Sequence, residues 1–273
     1  MTSPVLLILG AGGNVGQSTA KKFAQNGYKI ALVARSLENG TSEEGYLTIK
    51  GDLAEPECVP KIFKEVQEKL GIPNVVVHSA FAFTWSPEND PLFLPYATMK
   101  KEMAVNFESV YLAAQEAVRC FETLSAAAAQ GSSSSSSEGI ISSLPKVFIF
   151  TGNMLNVQTF PAFLSLGLGK TAGAFMVECA DIAYSKRGYR FYYADERSEE
   201  GGAIGTAING DAHADMYHEL VFGTSASVSA SAKKRLPWLI TFVKGRGYVY
   251  FPRQESNLTL EDLPARDQEV KTS

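Results

Sequence analysis

Pro4-Val5-Leu6-Leu7-Ile8-Leu9-Gly10-Ala11-Gly12-Gly13-Asn14-Val15-Gly16-Gln17-Ser18-Thr19-Ala20-Lys21-Lys22 is the stretch from which the rest of the chain can be read. Residues 5–9 are a short continuous apolar run, the pattern of a strand buried on both faces of a parallel sheet, and the run stops at Gly10. Glycines follow at Gly12, Gly13 and Gly16, and a helix-compatible segment begins behind them. A dinucleotide pyrophosphate needs these parts in this order. The strand aims the turn, the glycines let backbone approach the phosphates, and the free N–H groups of a helix N-terminus receive their charge. A glycine turn alone is a weak signal; the strand before it and the helix after it turn it into a prediction of nucleotide binding.

The chain has 273 residues with 45% hydrophobic content, enough for one large core, which favours one domain with decorations over two. A net charge of -4 argues against a nucleic-acid-binding surface, which needs basic excess. Cys58, Cys120 and Cys179 are odd in number and form no CxxC pair, so they read as reduced thiols and small buried hydrophobes, with no metal site. The N-terminal apolar run leads straight into the glycine turn and lacks a basic leader, so it is not read as a secretory signal. No segment reaches the roughly 18 apolar residues that span a bilayer. A soluble cytoplasmic protein is expected, acting on a small molecule.

After the turn, residues 17–25 read as a helix stopped at Asn26-Gly27, and 28–33 as a second buried strand followed by Arg35-Ser36. In a doubly wound sheet the end of the second strand lies beside the adenosine ribose, where an arginine suits a 2′-phosphate. Arg35 therefore favours NADP(H) over NAD(H), unless it is an ordinary loop arginine. A third strand over 45–50 ends in Gly51-Asp52-Leu53, where Asp52 can take the adenine amino group or simply close a turn. A helix over 56–70, a fourth strand over 74–80 and a long helical pattern over 96–124 follow. The serine run 132–137 makes residues of about 125–139 a flexible insertion. Residues 146–151 form a fifth strand, 166–185 a small-residue helix, 189–193 a sixth strand that Asp195-Glu196-Arg197 leave, and 247–251 a possible seventh. A lid segment over about 194–222 and a mobile tail over 254–273 complete a domain spanning 1–253. Alternating strands and helices imply a single Rossmann-like, doubly wound parallel sheet with helices on both faces and a crevice at the strands' carboxyl ends. Gly10, Asp52, His78, Thr151 and Asp195 all lie at such ends and are expected to converge.

This order of motifs resembles the short-chain dehydrogenase/reductase family over essentially the whole chain. The resemblance implies a cofactor loop in Gly10, Gly12, Gly13, Asn14, Val15 and Gly16, an NADP-preferring Arg35, and an adenine contact at Asp52 and Leu53. It also sets His78-Ser79-Ala80-Phe81 in place of the family's Asn-Asn-Ala-Gly, with Ser79 and Ala80 beside the cofactor. Asn106 matches the asparagine that organises the family's proton-relay water, and Lys170 the lysine that binds the nicotinamide ribose. The departures fall on the chemistry. Leu166 stands one helical turn before Lys170, where the family's catalytic tyrosine belongs, and Asn153 stands in place of its serine.

Asn153 could polarise a substrate oxygen or be a turn residue. A replacement acid is expected after the sixth strand, from Tyr193 or from His213, which faces Tyr217 across one helical turn. Tyr193 as a core aromatic, His213 as a solvated residue and Asp195-Arg197 as a local ion pair are the alternatives, and Asp195 also sits where it could meet the cofactor. Three functions remain open: an atypical NADP(H)-dependent oxidoreductase acting on a carbonyl, imine or enone; a non-redox isomerase, cyclase or dehydratase that keeps NADP structurally; and an NADP(H)-sensing binding protein. The aromatic loop carrying Phe81, Phe83, Trp85 and Phe93 favours an apolar small-molecule pocket. A homodimer through the helices bearing Asn106 and Lys170 is compatible with the resemblance.

Overall fold

The computed structural model describes residues 3–130, 144–223 and 236–251. In chain order the main elements are β1 (Val5–Leu9), α1 (Val15–Ala24), β2 (Lys29–Ala34), β3 (Gly40–Thr41), β4 (Leu47–Lys50), α2 (Cys58–Lys69) and β5 (Val75–His78). There follow α3 (Tyr96–Met103), a π-helical turn (Ala104–Glu108), α4 (Ser109–Gln130), β6 (Lys146–Thr151), α5 (Leu164–Tyr184), β7 (Tyr189–Glu196), α6 (Gly210–Phe222), β8 (Leu239–Val243) and β9 (Gly247–Tyr248). The nine strands described form one sheet in the order β3-β4-β2-β1-β5-β6-β7-β8-β9. Every pairing from β4 to β8 is parallel, and the short β3 and β9 are antiparallel edges. The chain leaves β1 towards β2 and β4, then returns through α2 to β5 on β1's other side. A crevice opens where the direction of winding reverses.

Strand alternation divides the core between the two faces of this sheet. Leu7, Val76, Phe148 and Phe191 pack under α2, α4 and α5, while Leu6, Ile8, Val77 and Tyr192 pack under α1 and α6. Helix α6 is riveted to α1 by three polar contacts. Asn14 Nδ2 donates to Ile208 O (2.9 Å), Ser18 Oγ to Asp211 Oδ1 (2.8 Å), and Lys22 pairs with Asp215 (2.8 Å). No helix among the described residues is long and apolar enough to cross a membrane.

The strands expected at 5–9 and 146–151 match β1 and β6, and four expectations need correction. The sixth strand runs on to Glu196, because Asp195 and Glu196 pair with Thr241 and Phe242 of β8. Strand β8, Leu239-Ile240-Thr241-Phe242-Val243, is an apolar run that the sequence reading passed over, and the strand expected at 247–251 is only the two-residue β9. The long helix is interrupted by the π turn and continues to Gln130, so the 125–130 part of the expected flexible insertion is helical. Alanine-rich sequence favours that helix, and Ser125 Oγ donates to Phe121 O (2.8 Å). Within the expected lid, 194–196 belong to β7 and 210–222 to α6, which leaves a loop over 197–209. The rest of the insertion and the 254–273 tail lie outside the described residues.

Candidate active site

A cleft of 1620 Å³ runs along the carboxyl ends of the strands from Arg35 to Phe163. Its first wall is the turn after β1. Gly10 sits at φ +87°, and a Cβ there would lie 2.3 Å from Ala80 N, so the turn tolerates no side chain at this crossing. Gly12 and Gly13 have open space where a Cβ would be, which leaves their backbone accessible. Asn14, the residue before α1, makes no side-chain cap; its amide instead reaches Ile208. Gln17 N–H is taken by Gly12 O (3.2 Å), while Val15 and Gly16 line the cleft at a helix start without a side-chain cap, an arrangement that fits an anion. At the far end Arg35 is exposed, lines the cleft and makes no hydrogen bond or ion pair among the described residues. Asp52 lines it too while accepting Ala54 N–H (3.0 Å), and the side chain of Leu53 is buried beside it.

The deep end carries buried charge. Lys170, 4% exposed, projects from α5, donates to Thr151 O (2.6 Å) and lies 4.2 Å above the Phe150 ring. Burial lowers its pKa from 10.5 to about 7, against an opposing pull from Asp195. Asp195 is raised to about 6 by burial, and its Oδ2 accepts from Arg197 Nε (2.5 Å). The Asp195-Arg197 pairing weighed from the sequence is thus formed, 1% and 6% exposed, inside the protein rather than on a loop. Leu166, also buried, lines the cleft one turn before Lys170. Ser79 Oγ, Thr151 Oγ1 and Tyr217 OH make a hydroxyl chain (2.5 and 2.7 Å) across the floor.

Several residues singled out from the sequence sit elsewhere. The phenol of Tyr193, fully buried, donates to Asn153 O (2.6 Å) and accepts from Asn153 N (3.0 Å), so both its hydrogen bonds go to the turn after β6. Burial first, then Asp195, pushes its pKa well above 10.0. It is spent as a brace and offers no proton to the cleft. Asn153 does line the cleft, and its Oδ1 accepts Leu155 N–H (3.1 Å), which leaves Nδ2 as its donor. Asn106 is consumed: Nδ2 donates to Ala82 O (2.6 Å) and Oδ1 accepts from Ala82 N (2.9 Å). His78 lies under the sheet against Ser109 (2.9 Å) and Phe150, outside the convergence expected of it.

His213 is not solvated. It is fully buried at the cleft wall, with Nδ1 2.9 Å from Asn209 O and 3.3 Å from Glu196 Oε2. Two acceptors around Nδ1 assign it the proton and leave Nε2 as a lone pair. Burial lowers the ring's pKa to about 4, so the neutral form prevails near pH 7. Nε2 and Glu196 Oε1 are both buried without a hydrogen-bond partner among the described residues.

Sequence reasoning missed Glu196 as the partner of His213 and Glu102 as a buried anchor. Glu102, 6% exposed, accepts from Thr84 Oγ1 (2.6 Å) and from Ser165 Oγ. It also missed Phe163, which packs on Trp85 at 4.5 Å. Phe93, grouped with that loop in the sequence, is exposed and does not line the cleft.

A glycine turn, a buried lysine and this sheet order together define an α/β protein of the doubly wound, dinucleotide-binding type. The chain belongs to the short-chain dehydrogenase/reductase family: the model for short chain dehydrogenases matches residues 4–140. It is 35% identical over 263 residues to the short chain dehydrogenase/reductase dmxR12 of Cryptosporiopsis sp. (strain 8999), covering 92% of this chain and 96% of that protein. The fold is similar to a short-chain dehydrogenase/reductase from Serratia marcescens BCRC 10948, with a TM-score of 0.62, 19% identity, and coverage of 89% of this chain and 96% of that one. It is also similar to ElxO solved with NADP bound, with a TM-score of 0.57, 16% identity, and coverage of 72% and 73%. The family uses nicotinamide cofactors and acts on small molecules.

Proposed function

We propose that the chain is an NADP(H)-dependent oxidoreductase that lacks the family's tyrosine acid and reduces a carbonyl, imine or enone of a small organic molecule. The observation that carries this reading is one cleft that joins the glycine cradle and the unpaired Arg35 to a buried Lys170 beside an apolar Leu166. Reduced nicotinamide, when bound, would supply a hydride to the substrate carbon. Gly12, Gly13 and the start of α1 would hold the pyrophosphate, and Arg35 a 2′-phosphate.

Lys170 takes the acid's part. Its pKa of about 7 leaves it partly protonated at neutral pH, and an ammonium of that strength gives up a proton to a developing alkoxide or amine. Asp195, held by Arg197, favours the charged form of Lys170 and helps restore it between turnovers. Asn153 Nδ2 supports the substrate oxygen. Leu166 excludes water from the reacting centre. The exposed Tyr111 of α4 and Phe175 and Ile182 of α5 support a homodimer through these helices.

The test follows NADPH absorbance while aldehydes, ketones, imines and enones are added, in wild type and Lys170→Met. Oxidation that falls as pH rises through about 7, and that is lost in the variant, is the expected result. Tight NADPH binding with no oxidation of any class would overturn the redox reading in favour of a non-redox enzyme or a sensor.

A further inference from the structure

We infer that the substrate is a planar aromatic ring system, seated on a rigid tray formed by Phe83, Trp85 and Phe163; this deepens, and rests on, the reading of the cleft as an oxidoreductase site. Residues 81–86 follow β5 without regular secondary structure. Phe81, Ala82, Phe83 and Trp85 line the cleft. Ala82, Thr84 and Ser86 also tie the segment to the body of the protein. Asn106 clamps both backbone groups of Ala82, Glu102 takes Thr84 Oγ1, and Ser86 N donates to Ala162 O (3.1 Å). Glu102 also accepts from Ser165, which locks the same strip to the start of α5. A buried carboxylate and a buried amide are therefore committed to holding a loop still.

What is held still is aromatic surface facing an opening. Phe83 meets Phe163 at 5.4 Å and Trp85 at 5.5 Å, and Trp85 meets Phe163 at 4.5 Å. Phe81 stacks on Phe83 at 25° between planes. Even so, Trp85 stays 42% exposed and Phe81 60%. Rings left facing solvent on a fixed frame lose no conformational freedom when a ligand covers them. Their quadrupoles favour offset or edge contacts with another π-system over contacts with a saturated ring of equal area. Leu166 and Phe160 continue the apolar lining toward Lys170, so a carbonyl on the edge of the ring system would reach the proton source.

The test is calorimetric titration of the full-length chain, with and without saturating NADP⁺, using 2-acetonaphthone and its fully saturated analogue 2-acetyldecalin. The naphthyl ketone is expected to bind about tenfold tighter, two or three aromatic contacts at work. In Trp85→Leu and Phe163→Leu that gap should close to about twofold while NADP⁺ affinity is retained. Equal affinity for the two ketones, or a gap that persists in both variants, overturns the inference. If NADP⁺ fails to bind but the gap appears in the chain alone, the tray stands and the oxidoreductase reading falls.

Discussion

Tyr193→Phe separates a structural tyrosine from a catalytic one. The phenol makes two hydrogen bonds, to Asn153 O at 2.6 Å and from Asn153 N at 3.0 Å, and no other atom of the ring is polar. At roughly 0.5–1.5 kcal/mol net for each bond, their loss costs about 2 kcal/mol. For a chain of this length that is a fall in melting temperature of about 4–8 °C. The ring itself stays, so no cavity forms. Differential scanning calorimetry measures the fall, and NADPH-dependent turnover at 25 °C should remain within about threefold of wild type, since the substitution removes no proton source. A true acid would lose about 10²–10⁴ in turnover with little change in melting. That opposite pattern, stable but inactive, would refute the assignment of Tyr193 as a brace. Gly152→Ala provides a cross-check, because its Cβ would come within 2.2 Å of Tyr193 Cε1, and it should destabilise through the same ring.

Arg35→Ala should weaken NADPH binding about 10–100-fold, the worth of a charge-assisted contact, and leave NADH within about twofold; equal losses for both nucleotides in a fluorescence titration would count against a 2′-phosphate site. His78 has a folded pKa of about 3 against 6.5, so it binds fewer protons folded than unfolded, and its contribution to stability is present above pH 6.5 and lost as pH falls. Wild type relative to His78→Leu should therefore lose about 2 kcal/mol between pH 7 and pH 5 in urea unfolding, and a pH-independent difference would show that the ring titrates alike in the folded and unfolded states. Gly10→Ala, with φ at +87° and Ala80 N in the way, should yield little folded protein in expression trials or a melting point lowered by about 6–12 °C, roughly the effect of 3 kcal/mol.

The nucleotide cradle was legible because everything it needs is local: an apolar strand, glycines and a helix start within a few residues of each other. The chemistry at the other end is assembled from β5, β6, α5, β7 and α6, and there the sequence gives residue types without depth. Tyr193 and His213 look like proton donors in a string of letters, but only burial reveals that one has spent its hydroxyl on Asn153 and that the other is held neutral. Strand parity could have gone further. It sends Tyr193 and Asp195 to the face covered by α5 and Glu196 to the face covered by α6, which pairs Asp195 with Lys170 and Glu196 with His213. Asn106 was read as a relay residue because of its family position, whereas its hydrogen bonds to Ala82 depend on a loop whose path no periodicity announces.

The two-residue strands at the margins bear on how copies of this protein meet. Sheets built from long parallel strands invite further strands, because a free margin exposes a ladder of N–H and C=O groups. Here Gly40–Thr41 doubles back over Leu47 and Thr48, and Gly247–Tyr248 over Phe242 and Val243. Each margin ends in a ladder two residues long and running the opposite way. Among the described residues neither margin offers a ladder long enough to fix the register of a neighbouring molecule, which disfavours growth by strand addition.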